Sequence, residues 1–171
     1  MSFLSRNPAT GELLAEHDEM PREEVLRRID LAQRAYEDWR ERPYAHRAEL
    51  FRQLAAAFRA KAENLAEIAA LEMGRPITAG ISEIEKCAKV CEYYADNAEK
   101  ILAPTPVDTE ASEAYVRFDP IGIVLAVMPW NFAYWQVMRF AAPALMAGNV
   151  GLLKHASNVQ GCPSALEALF F

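Results

Sequence analysis

Read for where its apolar residues recur, the chain changes period partway along. Val25, Ile29, Ala32, Tyr36 and Trp39 return every three or four residues, behind Pro21 and a first turn that holds Glu23 and Glu24. That is the spacing of one helix face, begun where proline and acidic side chains suit a helix N-terminus. The helix should close before Pro43. A second stripe of Leu50, Leu54, Phe58, Leu65, Ile68 and Leu71 predicts one long helix from about Ala45 to Met73, with Gly74 as its C-cap. A third helix follows Pro76 and runs to around Leu102, turning Ile81, Ile84, Ala88, Cys91 and Ala95 inward. Ahead of these, Phe3 to Glu16 reads as a lead-in hairpin around the turn residues Asn7-Pro8-Ala9-Thr10-Gly11.

After Ala103-Pro104-Thr105-Pro106 the period shortens. Glu113 to Phe118 alternates like a strand exposed on one side, an edge that another chain can pair with. Ile123 to Met128 is a continuous apolar run, the mark of a parallel strand buried on both faces. Tyr134 to Ala147 suits a crossover helix ending at Gly148, Val150 to Leu153 is a second apolar strand, and Gly161 to Phe171 starts another helix. Strand, helix and strand within about thirty residues predict a right-handed βαβ unit. The fold class is α/β: a helical platform, a protruding hairpin, and the first βαβ unit of a parallel, Rossmann-like sheet. Ligands of such sheets gather beyond the carboxyl ends of the strands. Attention therefore falls on Met128-Pro129-Trp130-Asn131-Phe132. The Asn131 carboxamide can donate to an oxygen that gains negative charge during a reaction. The plainer alternative is a turn-forming asparagine at a strand end.

Composition narrows the function classes. With 171 residues and 52% hydrophobic content, the chain makes one domain or a large part of one. A net charge of -6, with arginines scattered among glutamates, argues against a nucleic-acid or anionic-membrane partner. The first residues lack a signal peptide's charged start and apolar core, and no apolar run approaches the ~20 residues that span a bilayer, so a cytoplasmic protein is expected. Three cysteines without an export signal suggest reduced thiols. Cys87 and Cys91 would share a helix face, but nothing at ligand spacing completes a zinc site, and they read as small buried apolar groups with no metal. No GxGxxG follows a strand.

Met128-Pro129-Trp130-Asn131-Phe132, Pro143-Ala144-Leu145 with Ala147-Gly148-Asn149, and Leu152-Leu153-Lys154-His155-Ala156 occur in that order, after Asn7-Pro8-Ala9-Thr10-Gly11 and Glu72-Met73-Gly74-Arg75-Pro76. Together they resemble the aldehyde dehydrogenase superfamily, and within it the bacterial succinate-semialdehyde dehydrogenases. The resemblance implies that residues 1–171 are the amino-terminal part of an NAD(P)-binding domain, an incomplete aldehyde dehydrogenase fold without its catalytic domain. It also implies a homo-oligomer joined through a hairpin at 104–119. The cofactor would be NADP or NAD. The backbone of Met128, Pro129, Trp130 and Asn131 would lie along its nicotinamide half, with Lys154 on the adenosine ribose and His155, Ala156 and Ser157 completing that loop. Asn131 would be the oxyanion donor. Arg139 would fork onto the far carboxylate of a succinate semialdehyde substrate, in a tunnel walled by Phe132 and Trp135.

Each of these has a plainer reading: Lys154 as a solvated charge, Ser157 as a water-facing loop residue, Arg139 as an arginine snorkelling from an apolar helix. Departures from the family pattern also matter. Ser157 stands where NAD-preferring members often carry a glutamate, so a 2′-phosphate meets no repelling carboxylate there. His155 replaces a proline, Ala133 the last proline of the Pro-Trp-Asn-Phe motif, and Phe140 a frequent lysine. In the family a cysteine thiolate attacks the aldehyde, hydride passes to the nicotinamide, and a glutamate activates water. Both residues would lie beyond Phe171. Cys162 sits at a helix start, where a thiol pKa can fall, but matches no nucleophile position. The 171-residue chain alone is therefore expected to be inactive and to self-associate. The second reading is a non-catalytic module.

Overall fold

The computed structural model describes residues 2–170, so the expected reach of the last helix to Phe171 lies outside the described residues. The chain opens with an antiparallel hairpin of β1 (Ser2–Arg6) and β2 (Leu13–Asp18). Its turn closes where the Gly11 amide donates to the Asn7 carbonyl at 2.8 Å. Gly11 stands at φ 75°, a left-handed conformation that costs glycine little.

Helix α1 (Arg22–Trp39) ends before Pro43 as its spacing predicts. Its apolar stripe, however, stays half-exposed or open, and none of its residues is buried. Two directional bonds hold it instead: Tyr36 donates its hydroxyl to the Pro120 carbonyl (3.0 Å), and the Trp39 indole N–H donates to the Leu145 carbonyl (2.8 Å).

The long helix expected over 45–73 is two helices, α2 (Tyr44–Ala60) and α3 (Ala62–Met73). Lys61, at φ −111° and ψ 13°, leaves helical geometry between them. The bend lets Phe58 and Leu65, on either side of it, both bury completely in one core. Gly74 at φ 70° caps α3 in the left-handed conformation, as its position predicts. Helix α4 (Ile77–Ile101) is the spine against which α2, α3 and α5 pack. Gly80 lets it approach α3 closely, since a Cβ there would lie 2.8 Å from that of Ala66.

The strand expected over 113–118 shrinks to β4 (Tyr115–Val116), paired antiparallel with β3 (Thr105–Pro106). The partner is only two residues long, and Pro106 has no amide to give a ladder. Next come β5 (Ile123–Val127), α5 (Trp135–Met146), β6 (Val150–Lys154) and α6 (Gly161–Phe170). Strands β5 and β6 are parallel, running from Ile123 opposite Val150 to Val127 opposite Lys154. Burial on both faces of β5 does not occur: Leu125 and Val127 are 65% and 64% exposed while Ala126 between them is buried. Among the described residues only one face of this pair is covered.

Asn149 fastens the foot of the sheet. Its Oδ1 accepts from the amides of Ile121 (2.8 Å) and Gly122 (3.2 Å), and its Nδ2 donates to Ala144 (3.2 Å). The core gathers Phe51, Phe58, Leu65, Ile84, Met138 and Met146, each worth about 1.5–3 kcal/mol on full burial.

Candidate functional site

Strands β5 and β6 end level. Val127 faces Lys154, and the next amide, that of Met128, donates to the Lys154 carbonyl at 3.0 Å. Met128-Pro129-Trp130 and Lys154 thus leave the sheet side by side, with Trp130 and Lys154 exposed. The chain then turns through Trp130 to Tyr134 into α5.

A buried carboxylate sets that turn. Glu83 of α4 accepts the amides of Tyr134 (3.0 Å) and Trp135 (2.9 Å) on Oε1, satisfying donors that a helix start leaves open. Its Oε2 lies 3.0 Å from Arg75 Nε, an ion pair whose N–H is not aimed at the oxygen. The same guanidinium lies 4.3 Å from the Phe132 ring centroid and donates from Nη1 to the Asn131 carbonyl at 3.4 Å. The backbone of Asn131 is thereby fixed, while its side-chain carboxamide makes no hydrogen bond among the described residues.

Glu72 of α3 repeats the device at α6. It accepts from the Ser5 hydroxyl (2.6 Å), the Gly161 amide (2.8 Å) and the Cys162 amide (2.9 Å). Gly161 lets the carboxylate come close, since a Cβ there would lie 3.0–3.1 Å from both Glu72 oxygens and crowd them. Two carboxylates therefore occupy the positive ends of the helices that follow β5 and β6, and an anionic ligand finds those amides taken.

His155 is buried rather than presented. Its Nδ1 accepts from the Ala156 amide, so Nε2 carries the proton and donates to the Ala133 carbonyl, both at 2.9 Å. The ring braces the loop after β6 against the turn before α5, and burial holds its pKa below the ordinary histidine value. Ala156 is half-buried, its carbonyl taken by Gln160 at 2.8 Å, while Ser157 is exposed.

Cys162 corrects an expectation. At a helix start it could be acidic, but burial, reinforced by the negative Glu72 beside it, pushes its thiol up. Burial likewise raises Cys87, and Cys91 to about 12. Both lie in the core.

Trp135 is half-buried with Lys86 Nζ 3.8 Å from its ring centroid. Arg139 is exposed one turn further along α5. Thus Trp135 and Arg139 stand on the first turns of α5, and Phe132 lies beside Asn131 in the turn that leads into it. Sequence reasoning missed Glu72, Arg75 and Glu83 as the supports of this arrangement. A signal existed for Glu83, which falls on the inward stripe of Gly80, Ile84, Cys87 and Cys91. Among the described residues no helix is long and apolar enough to cross a membrane, and no group of three or more His, Cys, Asp or Glu side chains could hold a metal ion.

Comparison with known proteins gives a consistent result. A probable NADP(+) succinate-semialdehyde dehydrogenase of Synechocystis sp. is 46% identical over 170 residues, which cover 99% of this chain and 37% of that protein. An NAD(P)+ succinate semialdehyde dehydrogenase of Escherichia coli is 40% identical, with 98% and 36% covered. The crystal structure of succinic semialdehyde dehydrogenase from Streptococcus pyogenes in complex with NADP+ superposes with a TM-score of 0.94 at 34% identity, over 98% of this chain and 37% of that one. The chain thus spans a little over a third of the length of these relatives. The aldehyde dehydrogenase family pattern itself matches residues 2–170, and the chain belongs to that family.

Proposed function

We propose that residues 1–171 form the amino-terminal part of the NAD(P)-binding domain of an aldehyde dehydrogenase that oxidises succinate semialdehyde to succinate in the cytoplasm. The observation that carries the substrate is Arg139: an exposed guanidinium without an ion pair among the described residues, one turn beyond Trp135, on the helix that begins at the Asn131 loop. Its planar donors suit the far carboxylate, with Phe132 and Trp135 beside the aliphatic middle. The Asn131 carboxamide, free of protein partners, is suited to donate to the aldehyde oxygen as charge develops on it.

NADP or NAD would supply the hydride acceptor. The helix starts after β5 and β6 are filled by Glu83 and Glu72, so the cofactor's pyrophosphate is not expected on those amides. Because β5 and β6 end level, with Trp130 and Lys154 exposed, Met128 to Asn131 would take the nicotinamide half, and Lys154 with the His155-Ala156-Ser157 loop the adenosine ribose. Ser157, exposed three residues beyond the exposed Lys154, offers a hydroxyl and no repelling carboxylate to a 2′-phosphate, in keeping with the NADP of the Synechocystis and Streptococcus proteins. In the complete enzyme the attacking thiol and the water-activating carboxylate come from sequence outside this chain, whose own thiols are buried. Subunits of a homo-oligomer would join through the hairpin at 104–119, where Val107, Tyr115, Val116 and Phe118 are exposed.

A non-catalytic, self-associating module is the second reading, favoured by the open apolar face of Leu125 and Val127. Reading the gene past codon 171 separates the two: an open frame with a nucleophilic cysteine supports the enzyme, a stop codon the module. In the complete enzyme, Arg139→Leu should lower kcat/KM for succinate semialdehyde roughly ten- to a thousandfold relative to butanal. Equal losses on both would leave Arg139 a structural residue.

A further inference from the structure

We propose that Lys86 of α4 is a second specificity-determining cation of this same site, held in place by Trp135. The inference rests on the substrate reading above and adds a residue to it. Lys86 lies three residues beyond Glu83, on the stretch of α4 that packs against α5. Both residues engage Trp135: Glu83 takes its main-chain amide at 2.9 Å, and the Lys86 ammonium sits 3.8 Å from its ring centroid. Arg139 stands one turn on along α5, exposed and on the same side of the helix as Trp135 by spacing.

Charge bookkeeping places both cations in the group without a carboxylate, which among the described residues also holds Arg22, Arg34, Lys61, Lys100 and Lys154. Most arginines on this acidic surface already have carboxylates: Arg27 and Arg28 share Glu24, Arg52 pairs with Asp96, Arg59 with Glu85 and Glu92, and Arg117 with Asp119. Even Lys89, on the same helix, lies 3.8 Å from Glu85. Among the described residues Lys86 and Arg139 pair with no carboxylate, yet Lys86 is held on an aromatic face instead of ranging freely in water. An ammonium on an indole keeps donors directed away from the ring, and its long side chain loses less freedom when an anion arrives. The platform is rigid because the Trp135 amide is itself bonded into the buried Glu83. A cation on the Trp135 indole and a second cation one turn along the same helix favour an aldehyde that ends in a carboxylate, with Arg139 as the forked partner and Lys86 as the point charge.

The test uses the complete enzyme and the ratio of kcat/KM for succinate semialdehyde to that for butanal, which has the same four carbons without the charge. Lys86→Met should lower this ratio about three- to thirtyfold, mostly through KM, with the loss shrinking as salt rises. Lys86→Arg, which keeps the charge and stacks on the indole, should restore most of it. An unchanged ratio in Lys86→Met, or an equal loss in Lys86→Met and Lys86→Arg, would overturn the proposal. Arg139→Leu run in parallel distinguishes the failures. If Arg139→Leu collapses the ratio while Lys86→Met does not, only the role of Lys86 falls. If neither moves it, the carboxylate binds elsewhere and the substrate reading falls with it.

Discussion

Glu83 and Glu72 perform one task at two places and differ in what stands behind them. Each is a buried glutamate on a helix of the platform, and each accepts two amides at the start of a helix that follows a strand. Behind Glu83 stands a cation, Arg75, which also reaches the Asn131 carbonyl and lies over Phe132. Behind Glu72 stands a hydroxyl, that of Ser5, and no cation pairs with it among the described residues. The ion-paired version lies under the exposed turn with the candidate chemistry, and the version backed by a hydroxyl fastens β1 to α6. A guanidinium can donate to a carboxylate and to a loop carbonyl at once, which the single O–H of a serine cannot.

Removing the carboxylates should break this comparison in a set order. Glu83→Ala strands two amides and a guanidinium that is mostly buried, and should cost about 3–5 kcal/mol in urea denaturation. Glu72→Ala leaves two amides and a hydroxyl unmatched but no charge, so about 2–3 kcal/mol is expected by the same measurement. If Glu72→Ala proved the costlier, the cation would not be what separates the two sites. Ser5→Ala keeps both Glu72-to-amide bonds and should lose about 1.5 kcal/mol.

The smallest effect concerns the brace between the two loops. A histidine whose folded pKa is depressed adds stability that is complete above its unfolded value near 6.5 and is lost as pH falls through the folded one. Protonation would also set a hydrogen on Nδ1 against the Ala156 amide. Stability measured from pH 7.5 down to 5 should therefore decline, and His155→Asn should flatten that part of the profile. An identical slope in the variant would mean that other groups carry the acid sensitivity.

The elements were legible where periodicity alone decides them. The spans of α1 and α4 and the β5–α5–β6 unit follow from spacing, proline and glycine, because those signals act locally. The break at Lys61 was not, since Ala60-Lys61-Ala62 holds no residue that disfavours helix, and packing of Phe58 and Leu65 against one core decides it. The open face of Leu125 and Val127 was misread because apolar composition reports what a strand could bury, not what lies against it. At the candidate site, Asn131, Arg139 and Lys154 stood out by motif. Their supports did not: Glu72 and Glu83 look like ordinary polar helix residues until the amides they cap, 89 and 51 residues away, are brought to them.

The Glu72 clasp also bears on the order in which the molecule can assemble. It joins Ser5, 67 residues upstream, to Gly161, 89 residues downstream. On a ribosome adding roughly 5–20 residues per second, the carboxylate emerges on the order of ten seconds before the amide it is to cap. The α2 to α4 packing, built from nearer contacts, can form during that interval, but the clasp cannot. Until the last helix appears, Glu72 stays hydrated and the amino-terminal hairpin lacks its strongest anchor, leaving the first strands of the nascent chain the longest within reach of chaperones and proteases.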